Sequence, residues 1–193
     1  MRNERKQHKE RKSAEVPADA RPPNDTGKGP SYIVAIGGSA GGLEAFERFF
    51  AGIPPNTGMA FVVIQHLDPT HKALMPELLQ RSIKMPVREI EDGVTVEPDH
   101  IYVIPPNTDL SISDGRLHLR EPSAAHGQRL PIDSFFQSLA AERGDKSIAV
   151  IVSGMGTDGT LGLKAIKEVS GVVLVQSPDS AKFDGMPRSA IST

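Results

Sequence analysis

The chain has 193 residues, of which 38% are hydrophobic, and this length supports one domain with a proper core. Its net charge is −2 and only 5% of its residues are aromatic, so it lacks the basic, aromatic-rich surface of a typical nucleic-acid binder. The sequence contains no cysteine, which excludes disulfides and thiol catalysis, and no long apolar run, so we expect a cytoplasmic protein without membrane insertion.

The first 30 residues differ in composition from the rest of the chain. They carry eight Lys or Arg against five Asp or Glu, mixed with Pro, Gly and Asn. They offer no periodic apolar face, so burial cannot offset the entropy lost on ordering them. We therefore predict a disordered tail over residues 1–30 and one folded domain over residues 31–193.

The folded region begins with alternating strand and helix patterns. Residues 32–36 predict a strand, and residues 59–65 predict a second strand that is buried on both faces, as in a parallel sheet. A helix near residues 73–81 follows, with Pro76 in or near its first turn. Between the two strands, apolar side chains at helical spacing predict another helix: Leu43, Phe46, Phe50 and Ile53.

The second half of the chain continues this alternation around one hairpin. Residues 110–113 and 116–119 flank Asp114 and Gly115, a pair that closes two-residue hairpin turns. The other predicted elements are strands at 101–104, 148–152 and 172–176, a helix at 131–143 that ends at Gly144, and a helix at 161–169 that ends at Gly171. The sequence therefore predicts an α/β fold with a doubly wound, mostly parallel sheet between helical layers, Rossmann-like, plus a small antiparallel hairpin.

Ligands bind outside the carboxyl ends of the strands in such sheets, and the first strand is followed by a glycine-rich segment with Ser39 at its centre. GGSAGG at residues 37–42 suits either phosphate binding or a nucleophile beside an oxyanion hole. A dinucleotide fingerprint would need glycine where Ser39 stands, and a Walker loop would need Gly-Lys-Ser/Thr. Ser39 as a helix N-cap remains the structural alternative.

Two further strand ends carry groups that would complete a serine hydrolase. His66 directly follows the second strand and is a candidate general base, with His71 as a weaker rival. Asp158 lies in GMGTDG at residues 154–159, after the strand at 148–152, and is a candidate partner of the imidazole. A helix N-cap formed by Asp158 or Thr157 is the structural alternative.

The chain order of these groups separates them from the α/β-hydrolases, in which the acid precedes the histidine. Here the order is Ser39, His66, Asp158, and the downstream histidines also precede this aspartate: His100, His118 and His126.

This order and the local sequences resemble the catalytic domain of the chemotaxis protein-glutamate methylesterases (CheB), and especially the methylesterase part of methylesterase/methyltransferase fusion proteins. The matching stretches cover about 160 residues in the order of the family. They are IVAIGGSAGG at 33–42, VVIQHL at 62–67, IYVIPPN at 101–107, LPIDSFFQSLA at 130–140, VIVSGMGTDGTLGLKAI at 150–166 and FDGMPRSAI at 183–191.

The resemblance implies a cytoplasmic hydrolase of chemotaxis and phosphorelay signalling that removes methyl esters from glutamates of chemoreceptors, with glutamine deamidation as a secondary activity. Ser39 would be the nucleophile, His66 the base and Asp158 its partner, without a metal or organic cofactor. The residues implied on the oxyanion and substrate side are Gly38, Ala40, Met155 and Gly156. A non-catalytic docking or regulatory module and a small-molecule esterase are the alternatives.

Three features depart from the family pattern. The 30 leading residues are too few for a receiver domain, and Ala40 occupies a position that is often threonine. Residues 68–79, DPTHKALMPELL, are similar to methylesterases fused ahead of a receptor methyltransferase, so the implied partners are a chemoreceptor and a methyltransferase domain in a longer chain. The family continues beyond the position of Thr193, so we expect a domain that is truncated at its C-terminus.

Overall fold

A computed structural model describes residues 29–65, 74–122 and 129–193. The strands in these residues are β1 (Ile33–Gly38), β2 (Ala60–Gln65), β3 (Val87–Glu89), β4 (Val94–Thr95), β5 (Ile101–Val103), β6 (Asp109–Ser113), β7 (Arg116–Arg120), β8 (Ser147–Ile151) and β9 (Val172–Val175). The α-helices are α1 (Gly42–Ala51), α2 (Met75–Ser82), α3 (Pro131–Arg143), α4 (Thr160–Glu168) and α5 (Gly185–Ile191). No helix in the described ranges has the length and apolar character needed to cross a membrane.

The larger sheet has six strands in the order β3-β5-β2-β1-β8-β9, and all of its pairings are parallel. The chain moves outward from β1 to β2 and then crosses back to place β8 on the other side of β1. The predicted doubly wound, mostly parallel sheet is therefore confirmed, and the order of its strands reverses at β1.

Helices cover both faces of this sheet because the side chains of β1 alternate between two apolar clusters. Ile33 and Ala35 pack in the cluster that includes residues of α3, α4 and α5, whereas Val34 and Ile36 pack in the cluster that includes residues of α1 and α2. Every residue of β1 is buried, as expected for a strand between two helical layers. The three-layer prediction is confirmed.

The smaller sheet is antiparallel, with three strands in the order β4-β7-β6. Asp114 and Gly115 close its hairpin with φ angles of 49° and 68°, as two-residue turns of this type require. The sequence analysis missed β4, β3 and α5. Because β4 and β3 have only two and three residues, neither produces a recognisable apolar period.

The end of α4 differs from its prediction in one detail. The left-handed residue after this helix is Ser170, with a φ of 62°, and not Gly171. Gly171 is needed for a different reason, since a Cβ there would lie 2.6 Å from the Ser147 hydroxyl oxygen at the start of β8. Gly171 thus permits close packing and donates its N–H to the Ile166 carbonyl oxygen at 2.9 Å in the last turn of α4, while Ser170 supplies the left-handed conformation.

The predicted tail falls almost entirely on residues 1–28, which lie outside the described residues. Gly29 and Pro30 are described, and Pro30 is buried. Its carbonyl oxygen accepts a hydrogen bond from Nη2 of Arg143, at the end of α3, at 2.6 Å. Pro30 therefore contacts the folded domain.

The helices α3 and α4 pack closely because Gly162 has no side chain. A Cβ on Gly162 would overlap the Cβ of Phe136 and lie 3.2 Å from both the Cα and the carbonyl oxygen of Asp133. The buried Asp133 also accepts a hydrogen bond from the Gly162 N–H at 2.7 Å, which satisfies one of the free donors in the first turn of α4.

We expect Gly162→Ala to lower the free energy of unfolding by about 1–3 kcal/mol, because the methyl group must push α3 and α4 apart. Thermal and urea unfolding would measure this change. Gly52→Ala is the matched control: its Cβ would meet only the Phe49 carbonyl oxygen, at an ordinary 3.8 Å, and the φ of Gly52 is −90°. Equal stabilities of the two variants would contradict this account of the helix contact.

Asp133 should also make stability depend on pH. Burial raises the pKa of its carboxyl group, the Gly162 N–H partly lowers it, and the neighbouring Asp158 carboxylate raises it again. The folded chain then holds this proton to a higher pH than the unfolded chain, so stability falls as pH rises from the ordinary carboxyl pKa through the raised native value.

Asp133→Asn should flatten this part of the stability profile, since the amide oxygen still accepts from Gly162 but no longer ionises. We expect the variant to gain stability relative to the wild type as pH rises from about 4, the ordinary value of a carboxyl group, through the raised pKa of Asp133. Thermal unfolding of both proteins across that range would measure the difference. Parallel profiles would show that Asp133 does not titrate as described.

Candidate active site

The candidate site lies at the carboxyl edge of the large sheet, where the strand order reverses. β1 pairs with β2 up to Gly38 opposite Gln65, and with β8 up to Gly37 opposite Ile151. The residues that follow these three strands therefore emerge at one edge, in the place where open α/β sheets bind ligands.

Ser39 follows β1 in a turn that leads into α1. Its N–H donates to the Ser153 carbonyl oxygen at 3.0 Å, and its own carbonyl accepts from the Gly42 N–H at 2.9 Å. Gly41 is the N-cap of α1, with a φ of 70° and no side-chain cap bond. The alternative in which the Ser39 hydroxyl caps this helix is therefore wrong.

The Ser39 side chain is thus available for chemistry. The residue is half-buried, and its hydroxyl forms no hydrogen bond to another described residue. Gly41 must be glycine, because its φ is positive and a Cβ there would lie 2.8 Å from the Ser153 hydroxyl oxygen. The turn therefore holds the backbone tightly, while no other described residue binds the serine hydroxyl.

The residues expected on the oxyanion side lie on two neighbouring segments. Gly38 is the buried last residue of β1, and Ala40 is half-buried before α1. Met155 is 64% exposed, and Gly156 is exposed with a φ of 89°. Hydrogen bonds among the described residues use none of the N–H groups of Ala40, Met155 and Gly156. These open donors suit a developing negative charge.

These two segments touch through Gly154, the residue after Ser153. A Cβ on Gly154 would lie 3.1 Å from the Cβ of Ser39 and would overlap the Sδ of Met186 on α5. The Met155 segment is fixed against α5 as well, because the Met186 N–H donates to the Gly154 carbonyl at 2.9 Å. The structure thus brings the Ser39 turn and the GMGTDG segment together.

Asp158 is buried, with only 3% of its surface exposed, beside the first turn of α3. Its Oδ2 accepts from the Ile132 N–H at 3.0 Å and its Oδ1 from the Asp133 N–H at 2.9 Å. The N-cap of α4 is Gly159, without a side-chain cap bond. Neither Asp158 nor Thr157 is therefore the N-cap of α4, and the aspartate binds the start of α3 instead.

The helix that holds Asp158 also supports its negative charge. Backbone N–H groups and the positive end of the helix dipole both stabilise an anion at a helix start. A carboxylate oxygen can accept more than one hydrogen bond. The geometry therefore suits a carboxylate that binds the start of α3 and also orients a further donor.

The two histidines considered from the sequence, His66 and His71, lie outside the described residues. His66 directly follows Gln65, which is the last residue of β2. The contacts from His66 to Ser39 and to Asp158 therefore stay predictions. In the described part of the chain, no group of three or more His, Asp or Glu side chains is placed to hold a metal ion.

Ser153, which was not predicted from the sequence, connects several segments of the site. Its hydroxyl donates to the Ala40 carbonyl oxygen at 2.9 Å and accepts from the Phe183 N–H at 3.0 Å. Its N–H donates to Oε1 of Gln176 at 2.8 Å, at the end of β9. A usable signal existed, because Ser153 comes just after β8, at the edge where ligands bind.

Comparison with known proteins gives a consistent result. A family model described as CheB methylesterase matches residues 34–193. A crystal structure of the Thermotoga maritima CheB methylesterase catalytic domain superposes with a TM-score of 0.76 at 30% sequence identity, over 84% of this chain and 88% of that one.

Curated sequences extend the comparison. A protein-glutamate methylesterase/protein-glutamine glutaminase of Geobacillus kaustophilus is 36% identical over 164 residues, which is 82% of this chain and 47% of that protein. The protein of the same name from Yersinia pestis is 32% identical over 83% of this chain and 47% of its own length. An uncharacterized 104.1 kDa protein of Rhodobacter capsulatus is 47% identical over 120 residues, 62% of this chain and 12% of that protein.

The chain spans about half the length of the two curated methylesterases, and most of the solved catalytic domain. The family model covers the whole described domain after its first few residues, including the Ser39 turn and the Asp158 segment. By its sequence and by its fold, this chain belongs to the CheB methylesterase family.

Proposed function

We propose that this chain hydrolyses glutamyl methyl esters on chemoreceptors through an acyl-enzyme formed on Ser39. One observation carries the proposal: in a domain of the CheB methylesterase family, the described residues form no hydrogen bond to the Ser39 hydroxyl and none to the N–H groups of the neighbouring Ala40 and Met155 segments. The geometry of these residues alone would support acyl transfer as a type of reaction, and the family adds the glutamyl methyl ester as the substrate.

In the first step, the Ser39 hydroxyl oxygen attacks the ester carbonyl carbon while His66 takes the hydroxyl proton. The carbonyl oxygen becomes an oxyanion, which the N–H groups of Ala40, Met155 and Gly156 stabilise. The bond to the methoxy group then breaks, and His66 returns the proton so that methanol leaves. The product is a glutamyl ester of Ser39.

In the second step, water replaces the serine hydroxyl as the attacking group. His66 takes a proton from the water, which attacks the acyl carbon, and the proton then passes to Ser39 as its oxygen leaves. A free glutamate side chain remains on the receptor. Asp158, held by the first turn of α3, accepts the second imidazole N–H and stabilises the imidazolium of both steps.

The printed names of the curated relatives support two related substrates, a glutamate methyl ester and a glutamine amide. An amide would follow the same path, with ammonia as the leaving group. We place this activity in the cytoplasm, on the cytoplasmic part of a methyl-accepting chemoreceptor, within two-component signalling. A methyltransferase domain in a longer chain is the further proposed partner.

Ser39→Ala should abolish methanol release from a radiolabelled, methylated chemoreceptor, because no acyl-enzyme can form. We expect a loss of at least about 10⁴-fold in kcat, comparable to nucleophile removal in other serine hydrolases. The matched control is Ser113→Ala, an exposed serine at the end of β6, which should retain wild-type release. A folded wild-type chain without release would instead favour a non-catalytic docking module.

Asp158→Asn should lower kcat by about 10²–10⁴-fold, because the amide no longer stabilises the imidazolium. Its NH₂ group would also face one of the two N–H donors of α3, so unfolding should be measured beside kcat. Asp133→Asn is the control, since it changes a buried carboxylate of the same helix pair that binds α4 instead. An Asp158→Asn variant with undiminished kcat would remove this residue from the catalytic set.

A further inference from the structure

Gln65, the last residue of β2, binds the Ser39 turn through one polar atom of its side chain, and its other polar atom has no partner among the described residues. Its Nε2 donates to the Ser39 carbonyl oxygen at 3.2 Å. Its Oε1 is buried and has no hydrogen-bond partner among the described residues. An unpaired buried acceptor costs folding free energy, and such groups are rare enough to need a specific explanation.

The bond from Gln65 fixes a peptide group that contains a proposed oxyanion donor. The Ser39 carbonyl and the Ala40 N–H belong to one planar trans peptide, so they point in opposite directions. Two donors hold the carbonyl end, the Gly42 N–H at 2.9 Å and Gln65 at 3.2 Å. Together they determine where the Ala40 N–H points, and no bond to another described residue holds that N–H itself.

The next peptide group is fixed in the same way from the other neighbouring strand. The Ser153 hydroxyl donates to the Ala40 carbonyl, which sets the direction of the Gly41 N–H. Ser153 follows β8, whereas Gln65 ends β2. The turn between them is therefore held from both sides of β1, by side chains that contact the carbonyl face and leave the N–H face open.

We propose that Gln65 is a positioning residue, which aims the Ala40 N–H at the oxyanion of the reaction. This inference rests on the proposed function of the same site. Gln65 acts through the Ser39–Ala40 peptide and not by contact with substrate, since Oε1 is buried and Nε2 is engaged with Ser39. A misaimed donor stabilises the transition state less than a preorganised one.

Gln65→Met tests the inference, because methionine fills similar space without a donor. Removal of a whole oxyanion donor costs about 10²–10³-fold in kcat, so loss of its support should cost on the order of 10-fold to 100-fold. We expect KM for the methylated chemoreceptor to stay near its wild-type value. The midpoint of thermal unfolding should be unchanged or higher, because the variant also removes the unpaired Oε1.

Gln80→Met is the matched control. Gln80 lies on α2, where its Nε2 donates to the carbonyls of Ile83 and Met85 at 3.0 and 3.2 Å and its Oε1 accepts from the Val87 N–H at 2.9 Å. It has a fully paired amide and no contact with the Ser39 turn. We expect this variant to lose thermal stability and to keep kcat.

The rate at which a fluorophosphonate labels Ser39 gives a second readout that needs no receptor. It should fall in Gln65→Met by a factor similar to the fall in kcat, because the phosphonyl oxygen uses the same donors. If the wild type labels but does not demethylate the receptor, the proposed function fails while the labelling rates still decide the role of Gln65. A wild type that does not label at all overturns both.

Unchanged kcat and labelling in a folded Gln65→Met would overturn the inference. So would a loss of kcat accompanied by a fall in the unfolding midpoint as large as that of Gln80→Met, because Gln65 would then be structural. Gln65→Glu serves if methionine is not tolerated, since its carboxylate keeps the shape but cannot donate. Failure of both variants to fold would also assign Gln65 a structural role.

Discussion

The parallel pairing of β1 with β2 on one side and with β8 on the other is the constraint on which the candidate site depends. Parallel strands end at the same edge, so the turn after β1 lies between the segments that follow β2 and β8. Ser39 and Asp158 lie far apart in the chain, and the sheet brings the Ser39 turn and the segment that contains Asp158 to one edge. Apolar cores on both faces of the sheet hold that order in place.

Two buried carboxylates, those of Asp158 and Asp133, bind backbone N–H groups at helix starts near this edge. Asp158 lies before α4 but binds the first turn of α3, while Asp133, in the first turn of α3, binds that of α4. Each helix start thus receives a carboxylate from the other segment, and Gly162 lets the two helices approach closely enough for this exchange. Burial, together with the nearby Asp158 carboxylate, raises the pKa of Asp133.

The two faces of the Ser39 turn differ in their hydrogen bonds: its carbonyl oxygens are bonded, whereas its N–H groups on the opposite face are not bonded to other described residues. Gln65 and Ser153 bind the carbonyl oxygens of two successive residues, Ser39 and Ala40. The N–H groups on the opposite face have no partner among the described residues. A site that stabilises a transient oxyanion needs this asymmetry, because donors satisfied in the resting protein would have to break bonds during the reaction. The buried Oε1 of Gln65 has no partner among the described residues, which lowers the stability of the fold. Proteins accept such a loss at functional sites, and here it accompanies a side chain that fixes the Ser39–Ala40 peptide.

The alternation of strands and helices, the hairpin at Asp114 and the family could all be predicted from the sequence, because apolar periodicity, turn chemistry and local motifs are encoded over short spans. The sequence also singled out Ser39 and Asp158, since each lies in a glycine-rich segment after a strand. Only the tertiary structure decided what those residues bind. The N-cap of α1 is Gly41, Asp158 holds α3, and the contacts of Gln65 and Ser153 join segments between 23 and 113 residues apart. Such partners depend on strand order and helix packing, which no local pattern specifies.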